Sequence, residues 1–239
     1  MTVGLMLDVD GVIADTETVN AQASVEVFRM LYGVEVHPDD FRPFIGAGAD
    51  RYLLGVAEKY GIRINVQEAA LRRLDNFLRL IEQQMINPFP GVMELIQGAA
   101  AAPDFRLAVA TSGVRTKAFA VLRALGLDLR MFDALVTAED FSRPKPAPDI
   151  YLLTAARMGL PPDRCIVIED APAGVKAARA AGVLPVAVTH TTSAELLREA
   201  GWIVDNLSML HPDLLRRLSA QHAAQQAAAM TDLAQAAAS

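Results

Sequence analysis

The sequence predicts an α/β protein: a doubly wound, Rossmann-like parallel sheet with an all-helical insertion. Three observations predict it. Short apolar runs suited to strands buried on both faces recur along the chain. Longer helical patterns separate them, as crossover connections between parallel strands require. One interval, from about residue 15 to residue 87, breaks that rhythm and carries helical spacing only.

The elements follow in order. Strands are expected at 4–8, 106–111, 134–137, 165–169, 185–188 and 202–204, each a brief run of Val, Ile, Leu, Ala or an aromatic residue. Helices are expected at 91–102, 115–124, 148–157, 174–181 and 193–200. Within the interruption, Val25, Phe28 and Leu31, then Leu71, Leu74, Leu78 and Ile81, fall at helical intervals. Tyr32 and Phe77 share that spacing and read as packing residues. Roughly 70 residues is too long for a simple crossover. The chain therefore divides into a core of 1–14 with 88–239 and an inserted helical domain of 15–87, with INPFPG (86–91) as the return linker. From Ser219 onward the sequence is rich in Ala and Gln and predicts a surface helix that frays.

Composition limits the function. The chain has 239 residues, 52% of them hydrophobic, and a net charge of −6, with a mean hydropathy of +0.25. An acidic chain offers no field for nucleic acid or an anionic membrane, so neither partner is expected. A phosphate-bearing ligand would need local cations or a metal. The lone Cys165 excludes an internal disulfide and fits a reducing cytoplasm. No secretory leader is legible, and no apolar segment is long enough to span a bilayer. The sequence does not fix the oligomeric state, and a monomer is favoured over an oligomer.

Chemistry concentrates where predicted strands end. LMLDVDGVIADTE (5–17) places Asp8 and Asp10 one residue apart at the close of an apolar run. Burying such charge without a partner is costly. AVATSG ends in Thr111 and Ser112, SRPKPAPDIY offers Lys145, and CIVIEDAPAG carries Glu169 and Asp170. In a parallel sheet these ends emerge along one edge and can converge. One lysine against four carboxylates leaves surplus negative charge. A divalent cation is the natural remedy, and an all-oxygen site suits Mg²⁺ better than zinc. Each residue also has a plainer reading: a turn aspartate, a strand-end threonine, a loop lysine, or an acidic first turn of a helix favoured by the helix dipole.

Together these segments resemble the haloacid-dehalogenase-like superfamily of phosphohydrolases over essentially the whole chain. DVDGV resembles its first motif, ATSG its second, the lysine of RPKP its third, and ED before APAGVKAA its fourth. The insertion resembles the helical cap of the subgroup containing β-phosphoglucomutase and phosphoglycolate phosphatase. FRPFIGAGADRYL (41–53) is similar to the hydrolase domain of plant suppressor-of-quenching proteins. The resemblance implies Asp8 as nucleophile, forming an aspartyl-phosphate. It implies Asp10 as acid, then base, and Thr111 with the Ser112 amide as donors to a phosphoryl oxygen. Lys145 would offset charge, since opposite unit charges ~4 Å apart gain about 4 kcal/mol at an effective dielectric near 20. Metal ligands would be Asp8, Glu169, Asp170 and the backbone carbonyl of Asp10.

An aspartate at position 10 argues for phosphoryl transfer, because true dehalogenases of the superfamily lack it. Phosphonate-cleaving relatives use a cap lysine as a Schiff base, and the only lysine in residues 15–87, Lys59, is a poor candidate. For the substrate, Thr16, Asn20, Gly46, Arg51 and Arg115 are the candidate contacts, within or near the loop 44–51 and the ATSG motif. β-Phosphoglucomutase carries histidine at the position of Asn20 and lysine at that of Asn76. Both departures favour a phosphatase acting on a small phosphorylated metabolite, such as a sugar phosphate, over a hexose-phosphate mutase.

Overall fold

The structure is a computed structural model that describes residues 2–45, 49–83 and 86–238. Six strands form one parallel sheet: β1 Val3–Leu7, β2 Phe105–Ala110, β3 Ala134–Val136, β4 Cys165–Glu169, β5 Leu184–Val188 and β6 Trp202–Val204. Their spatial order is β3-β2-β1-β4-β5-β6. Leu5 faces Leu107 on one side and Ile166 on the other. The chain builds outward through β2 and β3, then returns to the opposite side of β1. That reversal opens a crevice beyond the carboxyl ends of β1, β2 and β4.

Both sheet faces are covered. Leu5 and Leu7 point into a cluster with α4 (Val92–Ala101), α5 (Arg115–Ala124) and Leu215 and Leu218 of α8 (Pro212–Ala238). Met6, between them, points the other way into a cluster with α6 (Asp149–Met158) and α7 (Pro172–Ala181). This period-two alternation, with both faces dry, explains why β1 reads as an unbroken apolar run.

Between Ala14 and Pro88, which pair as an antiparallel bridge, the regular elements are helical. These are α1 (Glu17–Tyr32), α2 (Ala49–Lys59), α3 (Val66–Gln83) and a 3₁₀ turn at Pro38–Phe44. They share a core of Phe28, Phe41, Tyr52, Leu53 and Val56. Phe41 stacks on Tyr52 at 5.0 Å and meets Phe28 edge-on at 5.9 Å. One face of α3 also joins the sheet cluster, through Phe77, Leu80 and Ile81.

Two expectations are corrected, and the packing face of α3 is defined. Residues 193–200 form successive turns, not a helix: Leu197 donates to Ala194 and Ala200 to Leu197. Leu197 is buried against Val175 and Ala187 while Leu196 stays exposed, so the segment lacks the apolar stripe that holds a helix down. On α3 the buried row is Ala69, Phe77, Leu80 and Ile81, and Leu71 is exposed. The tail is helical but not wholly a surface helix. Ser219 and His222 are buried, with the Ser219 hydroxyl donating to Arg164 and His222 Nε2 bonded to the Gly182 carbonyl at 2.9 Å.

Candidate active site

Asp8 follows β1 directly and is buried. One carboxylate oxygen accepts the Val9 amide at 2.8 Å, and the other accepts Lys145 Nζ at 2.9 Å. Lys145 arrives from the loop after β3, is buried, and also donates to Glu169 Oε1. Burial by itself would push this ammonium down, but Asp8 and Glu169 hold it far above its ordinary value. Glu169 ends β4 with no solvent exposure. Its Oε2 accepts the amides of Asp170 and Ala171 at 3.2 and 3.3 Å. Gly174 on α7 leaves room for it, since a Cβ there would lie 2.0 Å from the Glu169 carboxyl carbon.

Two close approaches bring Asp10 and Asp170 into the same crevice. Gly11 has φ 76°, and a Cβ there would sit 1.9 Å from Asp170 Oδ2, so the turn after Asp10 requires glycine on both counts. Asp170 accepts a hydrogen bond from the Thr191 hydroxyl, just past β5. Asp10 turns its carboxylate elsewhere: both oxygens lie 2.8 Å from Lys117 Nζ on α5, and Thr16 donates to one of them. Burial would raise the Asp10 pKa, but Lys117, Thr16 and the more distant Arg73 bring it below the usual carboxylate range.

Carboxylate oxygens of Asp8, Glu169 and Asp170 all lie within 4.8 Å of one another. Burial first, and then mutual repulsion, raises Asp8 and Asp170 above ordinary carboxylates despite Lys145. A buried, all-oxygen, net-negative cluster fits a hard divalent cation. The Asp10 side chain is not part of this cluster, because Lys117 claims both its carboxylate oxygens.

The other expected residues divide. Thr111 is buried at the end of β2. Its Oγ1 accepts the Gly113 amide at 3.0 Å, which leaves its own proton free to donate. Ser112 is exposed beside it. Thr16, expected to touch substrate, instead holds Asp10. Asn20 is half-buried on α1. Arg51 and Arg115 were expected as substrate contacts, and the structure pairs both with nearby carboxylates. Arg51 lies 2.8 Å from both Glu58 oxygens. Arg115 binds Glu139 through its amide and Asp140 through its guanidinium. Gly46 lies outside the described residues. Lys59 is paired with Asp40, which raises its pKa, the reverse of what an imine-forming amine needs.

Sequence reasoning passed over Lys117, Thr191, Tyr151, Arg73 and His190. Lys117 is the third residue of α5, one turn beyond ATSG, and that proximity was the available signal. Arg73 is half-buried on α3, 5.3 Å over the Tyr52 ring, and forms no ion pair among the described residues. His190 stacks on Phe89 at 3.9 Å with Nδ1 3.0 Å from the Gly11 carbonyl. That carbonyl can only accept, so Nδ1 carries the proton.

The profile of the haloacid dehalogenase-like hydrolases matches residues 5–188. The chain belongs to that family. This hydrolase is 41% identical over 202 residues to SUPPRESSOR OF QUENCHING 1 of Arabidopsis thaliana; the match takes in 82% of this chain but spans only 19% of the plant protein's length. It is 35% identical over 180 residues to the fructose-1-phosphate phosphatase YqaB of Escherichia coli, covering 75% of this chain and 93% of that one. The crystal structure of CbbY from Rhodobacter sphaeroides in complex with phosphate superposes with a TM-score of 0.77 at 26% identity, over 87% of this chain and 96% of CbbY.

Proposed function

We propose that the protein is a Mg²⁺-dependent phosphatase that hydrolyses a phosphorylated carbohydrate through a phosphoryl group carried transiently on Asp8. The observation that supports this reading most is the convergence of Asp8, Lys145, Glu169 and Asp170 at the switch point of the sheet, with Asp10 beside them. Mg²⁺ bound at the cluster of Asp8, Asp170 and Glu169, with the Asp10 carbonyl as a further ligand, would supply charge neutralisation for the phosphoryl oxygens. Lys145 has three N–H groups and gives two to Asp8 and Glu169, so one remains for the phosphoryl group. The Thr111 hydroxyl donates to a second phosphoryl oxygen. A carboxylate oxygen of Asp8 attacks phosphorus, and the bond to the leaving oxygen breaks as Asp10 delivers a proton to it. Asp10 then takes a proton from water as its oxygen attacks phosphorus; the bond from phosphorus to the Asp8 carboxylate breaks, restoring Asp8 and releasing inorganic phosphate.

Residues 15–87 act in this reading as a cap domain, with α3 as its face toward the site. Lys117 lies 5.0 Å over the ring of Phe77, so a core helix and a cap helix already meet beside Asp10. Such a lid excludes bulk water and contacts the leaving group. The carbohydrate assignment draws on relatives named for sugar phosphates, among them YqaB.

Phosphate release should be measured across a panel of phosphorylated sugars, with and without Mg²⁺, for the wild type and Asp8→Asn. The reading expects metal-dependent release that the variant abolishes. Full activity in the variant refutes the role of Asp8. Conversion of β-glucose 1-phosphate, primed with a trace of the bisphosphate, to glucose 6-phosphate without free phosphate would replace hydrolysis by mutase chemistry. The buried Asn76 argues against that outcome, because its amide is spent on the Ala23 carbonyl at 3.2 Å.

A further inference from the structure

Tyr151 is the largest fully buried side chain among the described residues, yet it carries a hydroxyl. A buried phenol needs a partner, and this one donates to Glu169 Oε1 rather than to a backbone carbonyl. The same oxygen accepts Lys145, and Oε2 accepts two amides. An ionised carboxylate offers about four lone-pair positions. Four donors therefore occupy Glu169 completely. The Tyr151 ring also faces Lys145, with Nζ 5.3 Å from its centroid, so one side chain touches both members of the Glu169–Lys145 pair.

We propose that Tyr151 is a positioning residue: its hydroxyl completes the saturation of Glu169, which serves to aim Lys145 at Asp8 and reaches the divalent ion only through water. The inference rests on the metal-dependent reading above. Without the hydroxyl, Oε1 has one donor instead of two, and the shared ammonium is drawn from Asp8 toward Glu169. The third N–H of Lys145 then no longer points at the phosphoryl group. Asp8 and Asp170, whose oxygens are not filled in this way, remain as the side chains that ligate directly.

Two measurements test this. The first is a crystal structure of the wild-type protein with Mg²⁺, which needs no substrate and so stands apart from the choice of phosphoester. It should show Asp8 and Asp170 on the ion and a water between the ion and Glu169; a Glu169 oxygen at about 2.1 Å from Mg²⁺ overturns the proposal. The second is Tyr151→Phe, which keeps the ring. Its Mg²⁺ affinity by calorimetry should stay within about twofold of wild type, because no ligand is lost. Its kcat should fall roughly tenfold with KM little changed, as expected when an interaction made in the transition state is weakened. Unchanged kcat, or Mg²⁺ binding weakened tenfold or more, counts against the assignment. If the variant does not fold, the wild-type crystal still decides.

Discussion

At the scale of single residues, the site is an arrangement of a few cations among many carboxylates. Lys145 serves Asp8 and Glu169, while Lys117 serves Asp10. Lys117→Met removes the strongest influence holding Asp10 down, so the Asp10 pKa should rise. The step in which Asp10 acts as base needs its ionised form. The acidic limb of the kcat profile should therefore move to higher pH, with activity near neutrality down about tenfold. An unmoved limb would show that Lys117 does not govern Asp10. Asp8, Asp10, Glu169 and Asp170 were legible because they stand at or just beyond strand ends, where the apolar pattern stops and polarity begins, and Lys145 because its proline-flanked RPKP setting marks it in the loop before α6. Lys117, Tyr151 and Arg73 were not, because each is one polar or aromatic residue on a helix face and only the fold says what that face meets. Arg51 and Arg115 show the converse, each paired in the structure with a nearby carboxylate. A sequence shows a cation but not the carboxylate that will claim it.

At the scale of elements, the strands were read closely because a strand buried on both faces must be apolar throughout. Val3–Leu7 and Cys165–Glu169 have no exposed position at all. Leu5, in the central strand, is fully buried, and Leu5→Ala should cost roughly 2–5 kcal/mol. For a chain of this size that lowers the melting temperature by roughly 5–20 °C, measurable by calorimetry. The segment 193–200 was misread because its helical propensity was not matched by a buried stripe. The tail shows the opposite error. Its composition suggested a helix independent of the core, but α8 is anchored by Leu215, Leu218 and His222 and is mostly exposed between Ala224 and Asp232, with Met230 71% exposed. Removing 231–239 should leave the melting temperature within about 2 °C, whereas removing 213–239 uncovers the sheet and should prevent stable folding. A large loss from the shorter deletion would mean that the outer turns pack after all.

At the scale of the whole molecule, the question is how an acidic chain tolerates so much buried negative charge. Asp8 and Asp170 are raised first by burial and then by neighbouring carboxylates, Glu169 chief among them, so without metal the folded protein binds protons there more tightly than the unfolded chain. The sign follows. Stability from these two groups is fully present below the ordinary carboxylate range, near pH 4, and is lost as pH rises through their elevated values. A divalent ion replaces those protons, and it competes with them less as pH rises. Mg²⁺ at about 100 times its dissociation constant should then stabilise the fold by about 2.7 kcal/mol, or roughly 5–10 °C in melting temperature. The gain should be larger near pH 8 than near pH 5.5, because acid already neutralises the cluster. Asp170→Asn removes one of the two charges and should flatten both the metal effect and the pH slope. Thermal melts of both proteins at the two pH values, with and without Mg²⁺, read this directly. A wild-type melt indifferent to Mg²⁺ at pH 8, or one stabilised more in acid, would mean that the charge beyond β1 and β4 is balanced within the protein itself.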